Sequence, residues 1–87
     1  MLLKAYSVFD SKSEVFSPPF FLKSRGLAIR QFMELLKDKG TMPGKYPSDF
    51  TLFELGDFDD VKGLMIPLGA PNNLGVGTIF LTPESEK

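Results

Sequence analysis

Four acidic side chains are the first group whose type and spacing could do chemistry. Glu54, Asp57, Asp59 and Asp60 stand close together, and Ca²⁺ or Mg²⁺ needs several converging oxygen ligands. The spacing does not match an EF-hand loop, which alternates its oxygen ligands and places a Glu at its twelfth position. Asp also favours turns, because its carboxylate accepts hydrogen bonds from nearby backbone amides. We therefore predict a hairpin turn over residues 59–63 and no metal site.

The sequence contains neither Cys nor His. Without Cys there is no disulfide framework and no thiolate zinc site. Without His there is no usual general base and no Ser–His or Cys–His nucleophile arrangement. No pair of carboxylates stands out for glycosidase-type chemistry. We therefore expect a protein that has no catalytic residues, is not an enzyme and uses no cofactor.

Basic and aromatic side chains are interleaved in the first part of the chain, a combination that holds single-stranded nucleic acid. Cations line the phosphates and rings stack on bases, at about 1–3 kcal/mol per base. Six residues are the candidate nucleic-acid contacts: Lys4, Tyr6, Lys12, Lys23, Arg25 and Arg30. The neighbouring Phe9, Phe16, Phe20 and Phe21 have two interpretations, because a domain this small has few other large residues to fill its core.

Charge is distributed unevenly along the chain, although the net charge is only −1. Residues 1–45 contain eight basic and four acidic residues, a net of +4, whereas residues 46–87 contain two basic and seven acidic residues, a net of −5. Such asymmetry can place a basic face opposite an acidic one. The alternative is a chance scatter of solvated charges, and the sequence leaves both open.

The elements that must position these side chains begin with a hairpin. Strand-forming residues over 2–9 predict a first strand, and residues 14–17 return antiparallel to it until Pro18 and Pro19 end the pairing. Residues 20–22 are either an extended connector or a short edge strand.

A helix is predicted next, over about residues 25–39. Ser24 is a favourable N-cap, and Gly40 is the residue type preferred just past a helix C-terminus. Apolar side chains occupy one face of this helix and polar side chains the other. Residues 41–45 contain Pro and Gly without periodicity and predict a loop.

A central strand is predicted over about residues 50–58, after a tight turn at residues 47–49. It forms a hairpin with residues 64–66, where Pro67 should end the pairing. Residues 69–77 predict a loop, and residues 78–81 a last strand.

The predicted fold is therefore α+β, a small and mostly antiparallel sheet of four or five strands with one amphipathic helix packed on it. With 87 residues, we expect a single domain over residues 1–82 and a flexible polar tail over residues 83–87. The apolar load on so short a chain favours a homodimer. No apolar run approaches the roughly 20 residues of a membrane helix, so we expect a soluble, intracellular protein with no membrane partner.

Several stretches resemble the small non-structural protein of gokushoviruses, tailless single-stranded DNA phages of the microvirus group. The resemblance covers about residues 1–63 and is most specific in Tyr-Pro-Ser-Asp-Phe at 46–50 and Leu-Gly-Asp-Phe-Asp at 55–59. The opening Tyr-Ser-Val-Phe-Asp-Ser-Lys at 6–12, Pro-Pro-Phe at 18–20 and Ala-Ile-Arg-Gln-Phe at 28–32 are also similar. Ser48 departs from the pattern, which has an acidic residue there, and the first helical turn lacks an expected acid.

The resemblance implies a DNA-binding protein that acts in single-stranded genome synthesis or packaging. Its partners would be single-stranded DNA and viral replication or capsid proteins, in the cytoplasm of the infected bacterial host. The alternative hypothesis is a module that regulates viral or host proteins through an apolar or acidic patch and binds no nucleic acid. That hypothesis is motivated by the acidic second half of the chain, which would repel DNA.

Overall fold

A five-stranded antiparallel sheet forms the body of the protein in a computed structural model that describes residues 1–81. The tail predicted for residues 83–87 lies outside the described residues. The strands are β1 (Leu2–Asp10), β2 (Val15–Phe16), β3 (Phe20–Leu22), β4 (Phe50–Asp59) and β5 (Leu64–Val76). The helices are α1 (Arg25–Lys37) and the single-turn α2 (Met42–Lys45), with 3₁₀ turns at Pro47–Asp49 and Gly77–Leu81.

Strand β1 is the middle of this sheet, and the order is β2-β1-β4-β5. The edge of β1 that faces away from β4 pairs with β2 at Phe9 and Asp10, and with β3 from Lys4 to Tyr6. Its other edge pairs with β4, shifted by a bulge between Ala5 and Tyr6. The predicted α+β class and the first hairpin are confirmed, and residues 20–22 are an edge strand.

The two faces of the sheet have different neighbours. Side chains alternate along a strand, so Tyr6 and Val8 lie on one face and Ser7 and Phe9 on the other. Helix α1 packs on the first face. Its buried side chains meet those of β1 and β4 in one core: Tyr6, Ala28, Phe32, Leu36, Phe50 and Leu52.

Helix α1 begins where the sequence predicts and ends two residues earlier. The Ser24 hydroxyl accepts a hydrogen bond from the Leu27 amide at 3.3 Å, as an N-cap should. At the other end the chain leaves helical geometry at Asp38, not at Gly40. The Asp38 carboxylate accepts the Gly40 amide at 2.9 Å, which directs the chain away from the helix axis.

The loop predicted over residues 41–45 is wrong, since this segment is the helical turn α2. Thr41 is its N-cap and accepts the Gly44 amide at 3.0 Å through its hydroxyl. The same hydroxyl lies 2.9 Å from the Leu35 carbonyl oxygen, which joins α2 to the end of α1. Pro43 falls in the first turn of α2, where a helix tolerates proline.

The turn of the predicted second hairpin is confirmed, but the predicted length of its second strand is wrong. The Asp59 carboxylate accepts the amides of Val61 and Lys62 at 2.9 and 3.1 Å, and Gly63 has a φ of 69°. Strand β5 does not end at Pro67 but continues to Val76, with a register shift between Glu54 and Gly56 of β4. A proline without a donor is compatible with β5 because β5 is an edge strand.

The predicted loop at residues 69–77 therefore belongs mostly to β5, and the predicted last strand at residues 78–81 is wrong. That segment is a 3₁₀ turn, Gly77–Leu81. The turn directs Phe80 and Leu81 toward the core, where the Phe80 ring lies edge-on to Phe32 at 5.8 Å between centroids. Burial of these apolar side chains favours the turn over a further strand.

The bulged pairing of β4 and β5 depends on the absence of a side chain at Gly56. A Cβ there would collide with the Ile66 carbonyl oxygen and would lie 2.8 Å from the Pro67 Cα. We expect Gly56→Ala to lower the free energy of unfolding by about 1–3 kcal/mol, because the paired strand must move. Urea denaturation followed by circular dichroism measures the change.

The matched control is Gly26→Ala in the first turn of α1, where an added Cβ has no neighbour within 4 Å. Alanine favours helices over glycine by up to about 1 kcal/mol, so this variant should be neutral or more stable. Equal denaturation midpoints for the two variants would show that the close approach at Gly56 does not constrain the sheet.

Candidate nucleic-acid interface

Two of the predicted DNA-contacting cations are engaged by a buried carboxylate. Glu54 is only 6% exposed, and its two oxygens lie 3.0 Å from Arg25 Nη2 and 3.9 Å from Lys4 Nζ. Lys4 is also 3.4 Å from the Asp57 carboxylate. A buried charge is costly unless it is paired. Lys4 and Arg25 therefore compensate the charge of Glu54. As a result, part of their own charge is not available to bind a phosphate.

Tyr6 is the predicted site residue that the fold hides. Its side chain is 0% exposed, and its ring packs against Phe20 at 5.9 Å between centroids. Among the described residues its hydroxyl has no hydrogen-bond partner. Burial, with the nearby Glu54 charge as a smaller cause, raises the pKa of Tyr6 above its ordinary value. The ring cannot stack on a base while it occupies the core.

Lys12, Lys23 and Arg30 are exposed, as is Arg25, but they differ from Arg25 in having no carboxylate partner among the described residues. Within residues 1–81 none of their charged groups forms an ion pair. Lys12 lies in the turn between β1 and β2, and Lys23 follows β3 directly. Arg30 lies on α1, in the layer on the other side of the sheet from Phe9. The six predicted residues therefore do not form one surface.

The structure instead brings five phenylalanines together on the sheet face that α1 does not cover. Three of them form a cluster whose ring centroids are 4.8 Å (Phe9–Phe16), 5.3 Å (Phe16–Phe53) and 6.2 Å (Phe9–Phe53) apart. The other two, Phe21 and Phe58, form a pair at 5.3 Å. We call these five side chains the aromatic face.

The aromatic face is partly open to solvent and carries no charge at its own strand positions in β1 and β4. Phe16 and Phe21 are 43% and 39% exposed, and the other three rings are half-buried. By register and alternation, the charged residues of these two strands fall on the opposite face: Lys4, Asp10, Glu54, Asp57 and Asp59. Positions between the rings hold small uncharged residues such as Ala5, Ser7 and Thr51.

The structure resolves the two interpretations of the early phenylalanines. Phe20 packs against the core, as the core interpretation expects. Phe9, Phe16 and Phe21 lie on the aromatic face, and sequence reasoning missed their partners Phe53 and Phe58. The available signal was strand alternation, which separates Phe53 from the buried Phe50 and Leu52.

Other kinds of site find little support in the described part of the chain. The Asp59 carboxylate accepts a backbone hydrogen bond within its own turn. Among residues 1–81, no three acidic side chains come together as metal ligands would.

Neither α1 nor α2 has the length and apolar character needed to span a membrane, and no other described helix does.

Comparison with known proteins gives one result. The family model described as "Phage ORF5 protein" matches residues 3–80, which include every residue of the aromatic face. No curated protein and no solved structure matches the chain.

The buried hydroxyl of Tyr6 predicts that its removal is not harmful. A polar group buried without a partner costs about 1–3 kcal/mol, so Tyr6→Phe should keep or raise the free energy of unfolding. The raised pKa means that folding favours the neutral phenol. The free energy of unfolding of the wild type should therefore be at its full value below the ordinary pKa of 10.0. It should decline as the pH rises through the higher folded-state pKa.

Urea denaturation of wild type and Tyr6→Phe between pH 7 and 11 tests this. Tyr46→Phe is the matched control, because Tyr46 is 52% exposed and its substitution should leave the midpoint at pH 7 unchanged. A Tyr6→Phe variant that is clearly less stable than wild type at pH 7 would mean that the hydroxyl makes a favourable interaction.

Proposed function

Because the chain belongs to the phage ORF5 protein family, we propose that it is a non-catalytic phage protein that binds single-stranded DNA. The observation that carries the proposal is the aromatic face. Rings exposed on an open sheet are a known way to hold unpaired bases, two or three of which stack on such a surface. Stacking tolerates every base because each has a π-face.

The composition of the aromatic face supports this use. Its five rings lie on four strands of one sheet face, as a three-ring cluster on β1, β2 and β4 and a two-ring pair on β3 and β4. Carboxylates of β1 and β4 are on the opposite side of the sheet, which keeps repulsion of the phosphates away from the rings. A base that stacks on Phe16 or Phe21 would remove exposed apolar surface from water.

Lys12 and Lys23 are the two lysines that would bind phosphates beside the rings. Lys23 follows β3, which carries Phe21, and Lys12 lies in the turn that joins the strands of Phe9 and Phe16. Each phosphate of a single strand that is neutralised contributes about −0.7 to the slope of log K against log salt. Binding through these two lysines therefore implies a slope of about −1.4, whereas five free cations would give about −3.5.

The proposal includes a setting and an oligomeric state. The protein would act in genome synthesis or packaging in the cytoplasm of the infected bacterium, with viral replication or capsid proteins as further partners. A homodimer is supported by the exposed apolar side chains at the end of the β4–β5 hairpin. Leu64, Met65 and Ile66 are 54%, 51% and 48% exposed there, and association would cover them.

Loss of an exposed ring should weaken binding of single-stranded DNA. Because stacking contributes about 1–3 kcal/mol per base, Phe16→Ala or Phe21→Ala should raise the Kd about fivefold or more. Fluorescence anisotropy of a labelled oligo(dT), with the corresponding duplex as competitor, measures this. Leu27→Ala is the matched control, since Leu27 is 39% exposed like Phe21 but lies on α1. Equal effects of Phe21→Ala and Leu27→Ala, or no binding at low salt, would contradict the proposal.

A pair of charge reversals identifies which side of the sheet the DNA follows. Lys23 and Arg30 are both exposed and make no ion pair among residues 1–81, so neither reversal removes a described contact. Lys23→Glu should raise the Kd for oligo(dT) and make the salt slope less steep by about 0.7. Arg30→Glu should leave the slope unchanged. The reverse result would place the DNA over α1 and not over the aromatic face.

A further inference from the structure

A groove of about 810 Å³ lies between α1 and the first hairpin, on the helix side of the sheet. Its floor is apolar and includes Val8 of β1, Phe50 of β4, and Phe32 and Leu35 of α1. Val15 and Pro18 form the opposite wall. Phe16 stands at the sheet edge and borders both this groove and the aromatic face. The volume falls in the range of ligand-binding clefts.

Ser17 joins one wall of the groove to β1 by three hydrogen bonds. The Ser17 amide donates to the Val8 carbonyl at 2.9 Å, and the Ser17 hydroxyl accepts the Val8 amide at 3.0 Å. The Ser7 hydroxyl donates to the Ser17 carbonyl at 2.7 Å. These bonds continue the contact with β1 between the segments paired by β2 and β3, and Pro18 and Pro19, which follow, have no amide to donate to the sheet.

The rim of the groove is acidic. Asp10, Glu34 and Asp38 line it, and no Lys or Arg is among the described residues that do so. Hydrogen bonds from the Lys12 amide and then the Ser13 hydroxyl lower the pKa of Asp10, so its carboxylate is charged at neutral pH. Glu34 is exposed and forms no ion pair within residues 1–81.

We propose that this groove binds a positively charged, amphipathic segment of a partner protein. Apolar side chains of that segment would cover the floor formed by Phe32, Leu35 and Phe50, and its Lys or Arg residues would face the rim. Charge complementarity selects this occupant, because opposite charges at a rim speed association and exclude wrong partners.

The same charges disfavour the other occupants. Three carboxylates repel the phosphates of a nucleic acid. Residues 82–87 of this chain contain Glu84 and Glu86 against one Lys87, so they do not complement an acidic rim. The groove is therefore separate in chemistry from the proposed DNA surface, and this inference does not depend on it.

A labelled 12-residue peptide of repeating Lys-Leu-Leu units is a suitable probe, and fluorescence anisotropy measures its Kd. Glu34→Lys should raise that Kd roughly three- to tenfold at low salt, and Glu34→Gln by a smaller factor, since a rim charge is reversed or removed. The matched control is Asp60→Lys, the same type of charge change at an exposed position in the distant β4–β5 turn. It should leave the Kd within twofold of wild type.

Two further peptides separate the contributions. Replacing Leu by Ser keeps the positive charge and removes the apolar side chains. Replacing Lys by Glu keeps the apolar side chains and reverses the charge. Both should bind at least tenfold more weakly than the Lys-Leu-Leu peptide. In amide NMR spectra that peptide should shift the signals of residues 13–17 and 31–38 more than those of residues 57–66.

The proposal is overturned by any of four results. Asp60→Lys could weaken the peptide as much as Glu34→Lys, or the Lys-to-Glu peptide could bind as well as the probe. Oligo(dT) could shift the amides of residues 31–38 as the peptide should. Finally, Glu34→Lys could change the mass of the protein in light scattering, which would assign the groove to a second copy of the chain. Circular dichroism of each variant checks that it is folded, and Glu34→Gln serves if Glu34→Lys is not.

Discussion

The pairing of β1 with β4 is the constraint on which the other features depend. It joins Leu2 to Asp59 at one end and Asp10 to Phe50 at the other, so the first strand lies beside one that follows it by some forty residues. Because side chains alternate, this register decides at once which residues meet α1 and which form the aromatic face. A slip by one residue would exchange Leu52 and Phe53 between the two faces. Both the core and the proposed DNA surface are consequences of this one register.

The same pairing brings part of the basic half of the chain into contact with the acidic half. Strand β1 belongs to the positive half and β4 to the negative half, and their antiparallel contact places opposite charges side by side. Lys4 meets Glu54 and Asp57, Arg25 meets Glu54, and the N-terminal ammonium of Met1 meets Asp60 at 2.8 Å. Uneven charge along a sequence therefore gives an uneven surface only where the topology keeps the two halves apart.

Local signals in the sequence were sufficient for the features that depend on local physics. The Ser24 cap, the Asp59 turn and the first hairpin follow from hydrogen bonds within a few residues, and each is present. The sequence did not predict the length of β5, because the role of Pro67 depends on its being in an edge strand. It did not predict that Tyr6 is buried in the core or that Phe53 joins the aromatic face, for a similar reason. Which face a residue occupies is set by a distant partner strand, and no local pattern contains that register.

The two proposed surfaces differ in charge in a way that keeps their occupants apart. The aromatic face is uncharged and flanked by lysines, whereas the groove is apolar and bounded by Asp10, Glu34 and Asp38. A polyanion is favoured on the first and repelled by the second, and a cationic segment experiences the opposite preference. The surfaces nevertheless share one residue, Phe16, whose ring contacts Phe9 and Phe53 on one side and borders the groove on the other. A base stacked on Phe16 and a peptide in the groove would thus act on the same two-residue strand, which is the shortest in the sheet.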